Sequence, residues 1–141
     1  MAPGNPRPRN ALKYLIDSDW VINAQHNQEA VVTRLQELTP DGLGISIISI
    51  AELYEGILGD PDPEKSDQAL RRFLSMVEVL SIDEMTCRIF AQERRRLRMV
   101  GKTIPDLDLL IGATAIRHNL TIFSNNRRHF ERLEGLSIIS V

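Results

Sequence analysis

The stretch Leu12-Lys13-Tyr14-Leu15-Ile16-Asp17-Ser18-Asp19-Trp20-Val21-Ile22 constrains the fold more than any other part of the chain. An apolar run climbs to two carboxylates and then resumes. A short apolar run bounded in this way predicts a buried strand, with Asp17 at its C-terminal edge. In open α/β sheets that edge is where ligands bind. A lone ionised carboxylate is costly to bury, so Asp17 needs a cation, an array of donors or a raised pKa. The remaining chain should supply one of these.

The pattern after this strand alternates. Ser18 and Asp19 are expected to form a turn, and Trp20, Val21 and Ile22 to open a short helix. Residues 28–38 have helical spacing, with Ala30, Val31, Leu35 and Leu38 on one face. Pro40-Asp41-Gly42 makes a turn. Leu43–Ile48 is a second apolar, β-branched run. Ser49-Ile50-Ala51-Glu52 then matches a capping box, a serine followed three residues on by a glutamate. That places Glu52 in the first turn of a helix that begins where a strand ends. Residues 64–80 and 84–99 read as amphipathic helices, with a short strand between them at Val79–Ile82. Gly101 ends the second of these. Asp106 and Asp108 open a further helix, in which Gly112, Ala113 and Ala115 permit close packing. Leu120–Ser124 and Leu136–Val141 are the last strands. Strands alternating with helices predict one α/β domain over residues 11–141, with a mainly parallel sheet covered on both faces. Residues 1–10, with three prolines and two arginines, read as a disordered tail.

Composition excludes several classes. Net charge is -2, so overall charge does not mark a nucleic-acid binder. The single cysteine, Cys87, rules out an intrachain disulfide and a cysteine-rich zinc site, and its setting reads as core. No apolar run approaches the roughly 20 residues that span a bilayer. The N-terminus lacks a signal peptide's apolar centre, which makes the cytoplasm the expected compartment.

Among 19 acidic residues, Asp17, Glu52, Asp106 and Asp108 stand out by context. Each follows a strand or opens a helix, and in a doubly wound sheet such points fall along one edge. Carboxylates gathered there repel unless a cation neutralises them or one keeps a proton. Hard oxygen donors without His or Cys partners suit Mg²⁺ or Mn²⁺. Each acid also has a structural alternative: Glu52 as capping partner, Asp106 as N-cap, Asp108 as a charge on the helix dipole, Asp19 as a turn residue. His26, His118 and His129 have no metal-ligand spacing. Trp20 and Tyr54 read as core residues, with base stacking as the other option. Two basic patches are candidates for phosphate contact: Arg94, Arg95, Arg96, Arg98 and Lys102, and Arg127, Arg128 and Arg132.

Three segments together resemble the acidic motifs of PIN-domain ribonucleases. They are Tyr14-Leu15-Ile16-Asp17-Ser18-Asp19, Ser49-Ile50-Ala51-Glu52-Leu53-Tyr54-Glu55-Gly56 and Asp108-Leu109-Leu110-Ile111-Gly112-Ala113-Thr114-Ala115. Leu120-Thr121-Ile122-Phe123-Ser124-Asn125-Asn126, with His129-Phe130, is similar to the family's last motif region. The likeness is strongest to the VapC toxins of type II toxin–antitoxin modules and runs from about Leu12 to Val141. It implies an α/β/α sandwich, Mg²⁺- or Mn²⁺-dependent RNA cleavage, a homodimer, and a VapB antitoxin whose C-terminal segment fills the acidic groove. It also implies Asp17, Glu52 and Asp108 as the metal-binding catalytic acids and Asp106 as an accessory ligand. Arg127 and Arg128 are the expected RNA contacts. The sequence departs from the pattern after the last strand, where Asn125-Asn126 stands in place of a fourth acid. That departure leaves the number of metal ions open.

Two other readings compete. Asp17-Ser18-Asp19 after a strand is also similar to the nucleophile motif of haloacid-dehalogenase-like phosphatases, with Asp17 phosphorylated and Asp19 as general acid. That reading leaves Glu52 idle. A degenerate, non-catalytic PIN module that binds RNA or protein is the other.

Overall fold

Tyr14–Ile16 forms the central strand, β1, of a five-stranded sheet in the computed structural model, which describes residues 12–26 and 29–141. The chain continues through α1 (Ser18–Gln25), α2 (Glu29–Leu38), β2 (Leu43–Ser46), α3 (Ile47–Leu58) and α4 (Pro63–Leu74). It goes on with β3 (Glu78–Leu80), α5 (Glu84–Met99), α6 (Asp106–Arg117), β4 (Thr121–Phe123), α7 (Arg127–Phe130) and β5 (Ile138–Ile139). The expected tail over residues 1–10 lies outside the described residues.

The strand order is β3-β2-β1-β4-β5, and every pairing is parallel. Leu15 pairs with Gly44 on one side and Ile122 on the other. Parallel strands are buried on both faces, which explains why β1 is apolar at consecutive positions. Alternation along the strands then sorts the side chains into two cores. Ile16, Ile45 and Phe123 pack with Trp20, Val31, Leu53 and Leu70 from α1, α2, α3 and α4. Leu15 and Ile122 pack with Leu97, Leu109, Ile111 and Phe130 from α5, α6 and α7. The result is the α/β/α sandwich expected from the sequence. Ile16, Ile45, Ile122 and Phe123 are fully buried, each worth roughly 1.5–3 kcal/mol of apolar transfer.

The order of strands fixes where a ligand can sit. From β1 the chain moves outward to β2 and β3, then crosses back to place β4 on the other side of β1. The connections thus reverse direction at the β1/β4 boundary, and the crevice at the C-terminal ends of these two strands is the switch point where open α/β sheets bind ligands.

Helix ends deliver the chain to that edge. Asp17 is the N-cap of α1, so Ser18 and Asp19 belong to the first helical turn rather than to a separate turn. The second strand ends at Ser46, two residues earlier than expected, because Ser46 caps α3 by accepting from the Ile48 N–H at 3.1 Å. The capping box at Ser49 is therefore not formed. Glu52 sits one turn further into the helix, and the buried Ser49 hydroxyl has no hydrogen-bond partner among the described residues. At the C-terminus of α5, Gly101 takes φ +70°; its N–H reaches the Arg98 carbonyl, and the Lys102 N–H reaches that of Leu97. This Schellman ending turns the chain back toward the start of α6.

Two core assignments change. Cys87 is exposed on α5, and Tyr54 is exposed on α3, because each lies on its helix face away from the sheet. Trp20 is fully buried as expected. The helix expected over residues 64–80 stops at Leu74, since β3 begins at Glu78.

Candidate functional site

Asp17 leaves β1 at the switch point and is only 4% exposed. One carboxylate oxygen, Oδ1, accepts from the Ser18 N–H at 2.8 Å, and the other accepts from the Ser124 hydroxyl at 2.7 Å. Both donors are neutral. Burial and the neighbouring Asp19 charge, with a smaller push from Asp108, raise its pKa from 3.8 to about 7 despite these bonds.

Asp19 lies in the first turn of α1; the sequence suggested a turn role for it or, in the phosphatase reading, that of general acid. The structure brings it into the cluster. Its Oδ2 accepts from the Asn125 N–H at 2.9 Å, while its Oδ1 is buried without a hydrogen-bond partner among the described residues. Burial also raises its pKa, with a further contribution from Asp108. Glu52 reaches the same edge from α3 and accepts from the Ser18 hydroxyl at 3.2 Å. Its pKa is raised by burial and by Asp108, Glu55 and Asp19.

Asp108 arrives from the first turn of α6. Its Oδ2 accepts from Asn126 Nδ2 at 3.2 Å and lies 2.6 Å from His129 Nδ1. His129 Nδ1 also lies 2.9 Å from Asn126 Nδ2, so Asp108, Asn126 and His129 form one hydrogen-bonded group; with the proton on Nδ1 the imidazole donates to the carboxylate. Gly112 lies beneath this placement. A Cβ there would overlap Leu133 Cδ1, just past α7, and would touch Phe130 Cδ1 of α7 at 3.4 Å, so the glycine makes room for the Leu133 side chain against α6.

Asp106, two residues away, points to a different neighbourhood. Its Oδ1 accepts from Arg94 Nε at 2.9 Å, and its side chain is 58% exposed. Pro105, not Asp106, is the N-cap.

The loop after β4 contains the residues whose work the sequence hid. The Ser124 hydroxyl donates to Asp17 and accepts from the Asn126 N–H. The Asn125 N–H serves Asp19, and its side-chain oxygen accepts from Trp20 Nε1 and the Val141 N–H. Asn126 serves Asp108. Where a fourth acid was missing, three consecutive residues therefore donate to three carboxylates. An apolar strand running directly into Ser-Asn-Asn was the one available signal.

Of the expected RNA contacts, Arg127 is engaged by Glu131 at 2.9 Å and by the Ser140 hydroxyl. Arg128 is exposed and has no partner among the described residues; it lines a broad cavity with Lys102 and Arg132.

A family model for the PIN domain matches residues 14–136. The chain is 39% identical to Ribonuclease VapC1 of Methanocaldococcus jannaschii over 89% of its length and 86% of that protein's. The chain belongs to the PIN-domain family of VapC ribonucleases. It is also 30% identical to the tRNA(fMet)-specific endonuclease VapC of Shigella flexneri, over 89% of this chain and 95% of that one. Among solved structures it is similar to VapBC2 from Rickettsia felis bound to a promoter DNA fragment, with a TM-score of 0.85 at 26% identity over 92% of this chain and 99% of the other. Membership removes the ground for the phosphatase reading of Asp17-Ser18-Asp19. Among the described residues no helix is long and apolar enough to cross a membrane.

For a PIN-domain ribonuclease the question is whether these residues suit a divalent cation. No group of three or more His, Cys, Asp or Glu side chains among the described residues stands arranged to hold a metal ion. The donor chemistry nevertheless fits. The cluster offers hard carboxylate oxygens, one of them buried and orphaned, and their charges push one another's pKa upward. Mutual repulsion of this kind keeps carboxylates apart, and a cation relieves it.

Proposed function

We propose that the acidic edge of the sheet hydrolyses RNA phosphodiester bonds, with Mg²⁺ or Mn²⁺ held by Asp17, Glu52 and Asp108 and by the orphaned oxygen of Asp19. The observation that carries this reading is Asp17: buried at the switch point, met only by neutral donors, and crowded by a second acid. When bound, the cation supplies charge neutralisation at a phosphoryl oxygen. Glu52, steadied by Ser18 and with its pKa raised chiefly by burial, orients the attacking water and accepts its proton. Asn126 and His129 hold Asp108 in place. Water attack at phosphorus forms the new P–O bond and breaks P–O3′; the 3′-oxygen takes a proton from solvent, leaving a 5′-phosphate and a 3′-hydroxyl. Arg128 contacts the incoming strand.

The proposed partner is a VapB-like antitoxin whose C-terminal segment covers the acidic groove. A homodimer is the proposed assembly and the cytoplasm the proposed compartment. Transfer RNA is the first substrate class to try, because the Shigella flexneri relative is named for it.

Purified chain free of antitoxin, incubated with total RNA in Mg²⁺ or Mn²⁺, should give discrete fragments with 5′-phosphate ends. Chelator or Asp17→Asn should abolish them. Metal-independent cleavage leaving 2′,3′-cyclic phosphates contradicts the proposal.

A further inference from the structure

The junction between the end of α5 and the start of α6 contains a cavity of about 310 Å³. Leu97, Ile104 and Leu109 give it a buried apolar lining, and Pro105 adds a rigid ring. Arg94 and Arg98, one helical turn apart on α5, line it as well. These two arginines are not equivalent. Arg94 is pinned by Asp106 at 2.9 Å, whereas Arg98 is exposed and has no partner among the described residues. The cavity opens beside Asp106, in the same first turn of α6 that carries Asp108 but on another face of the helix, so it lies next to the acidic edge along the sheet end rather than within it.

We propose that this cavity is a nucleotide subsite: it receives one unpaired base of the substrate RNA, with the adjoining phosphate on Arg98. The inference deepens the ribonuclease reading and rests on it. Single-stranded RNA is recognised by splaying bases into apolar pockets and against guanidinium planes, with cations on the backbone. The cavity combines these features in the size range of ligand pockets. The Thr103 hydroxyl, also in its lining, offers a hydrogen-bonding group to a base edge. Asp106 is then a positioning residue. Its carboxylate holds the Arg94 guanidinium in the cavity wall and serves the strand rather than the cation.

The test uses the full chain carrying Asp17→Asn, so that binding is read without cleavage. The probe is a single-stranded RNA oligonucleotide spanning a cleavage site mapped with the wild type. An abasic nucleotide is walked along it. One position should weaken binding roughly tenfold, and that position-specific loss should vanish when Thr103→Trp fills the cavity. Arg98→Glu, an exposed change that leaves the core intact, should weaken binding and lower the slope of log affinity against log salt by about 0.7. If the wild type cleaves RNA while abasic position and Arg98→Glu are both without effect, the subsite is overturned and the ribonuclease reading stands. If these variants lose affinity for the antitoxin but not for RNA, the cavity is a peptide site and the proposal is overturned. Absence of both RNA cleavage and RNA binding overturns the subsite and the function together.

Discussion

Asp17 and Asp83 do the same local job and live in opposite electrostatic worlds. Each is an N-cap in extended backbone conformation, and each accepts a helix N–H at 2.8 Å. Asp83 is exposed, takes a second bond from the Thr86 hydroxyl, and faces Arg117 at 3.1 Å. Its pKa falls to about 2, chiefly through the Thr86 bonds. Asp17 is buried, has no cationic partner among the described residues, and rises to about 7. Capping geometry therefore does not set the charge of a capping carboxylate; burial and the sign of the neighbours do. The same division runs through the molecule. On the α5 side, Glu93 is held below its ordinary range by Arg96. At the sheet edge, Asp17, Asp19 and Glu52 meet only neutral donors and one another. The first region is electrostatically balanced by its own arginines, and the second is the one that the proposed cation would balance.

The sharpest way to break that contrast is Asp17→Asn. Cleavage should fall by at least roughly 10²–10³-fold, the scale of losing one pre-organised charge-stabilising group. The same substitution should stabilise the fold. Asp17 ionises near 3.8 when unfolded and near 7 when folded, so the folded protein holds the extra proton between those values. Stability should fall as pH rises from about 4 to about 7 and then level off. Asparagine removes that fall, and urea unfolding at pH 7.5 should show a gain on the order of 2–4 kcal/mol over the wild type. Loss of activity with gain of stability is the mark of a functional site assembled against its own repulsion. A wild type whose stability is flat from pH 4 to 7 contradicts this.

Gly112→Ala probes the support beneath the edge. The new methyl meets Leu133 in a buried setting, so unfolding should cost roughly 1–3 kcal/mol less. Cleavage should drop as α7 shifts and His129 leaves Asp108. Unchanged cleavage with lowered stability would separate α7 from the site.

The smallest effect belongs to the balanced region. Asp83→Ala should lower the melting temperature modestly and leave cleavage unchanged. Its contribution has the opposite sign in pH: present above about 4 and lost as the pH falls through about 2. If acid melting curves of wild type and Asp83→Ala do not converge at low pH, the contrast with Asp17 fails.

The sequence made the skeleton legible because the signals were local. Consecutive apolar residues in β1 and β2, Pro105 before α6 and Gly101 after α5 each act within a few residues. Asp17, Glu52 and Asp108 could be singled out by their positions at element ends. What stayed hidden depends on chain closure. Ser124 reaches Asp17 across 107 positions, and Asn125 reaches Asp19 across 106. No local pattern encodes those bonds. The capping box at Ser49 failed for a related reason: Ser46 and Ser49 are both plausible caps, and the end of strand pairing at Ser46 decided between them. Cys87 was placed in the core by residue type, whereas the helix face decides.

The most direct single measurement is thermal unfolding of wild type and Asp17→Asn at pH 7.5, with and without Mn²⁺. Without metal the Asp17→Asn protein should melt higher. With Mn²⁺ at 100 times its dissociation constant, the wild type should gain about 2.7 kcal/mol, while the variant should barely move. Equal shifts in both proteins, or a wild type indifferent to Mn²⁺, would contradict a cation-completed edge.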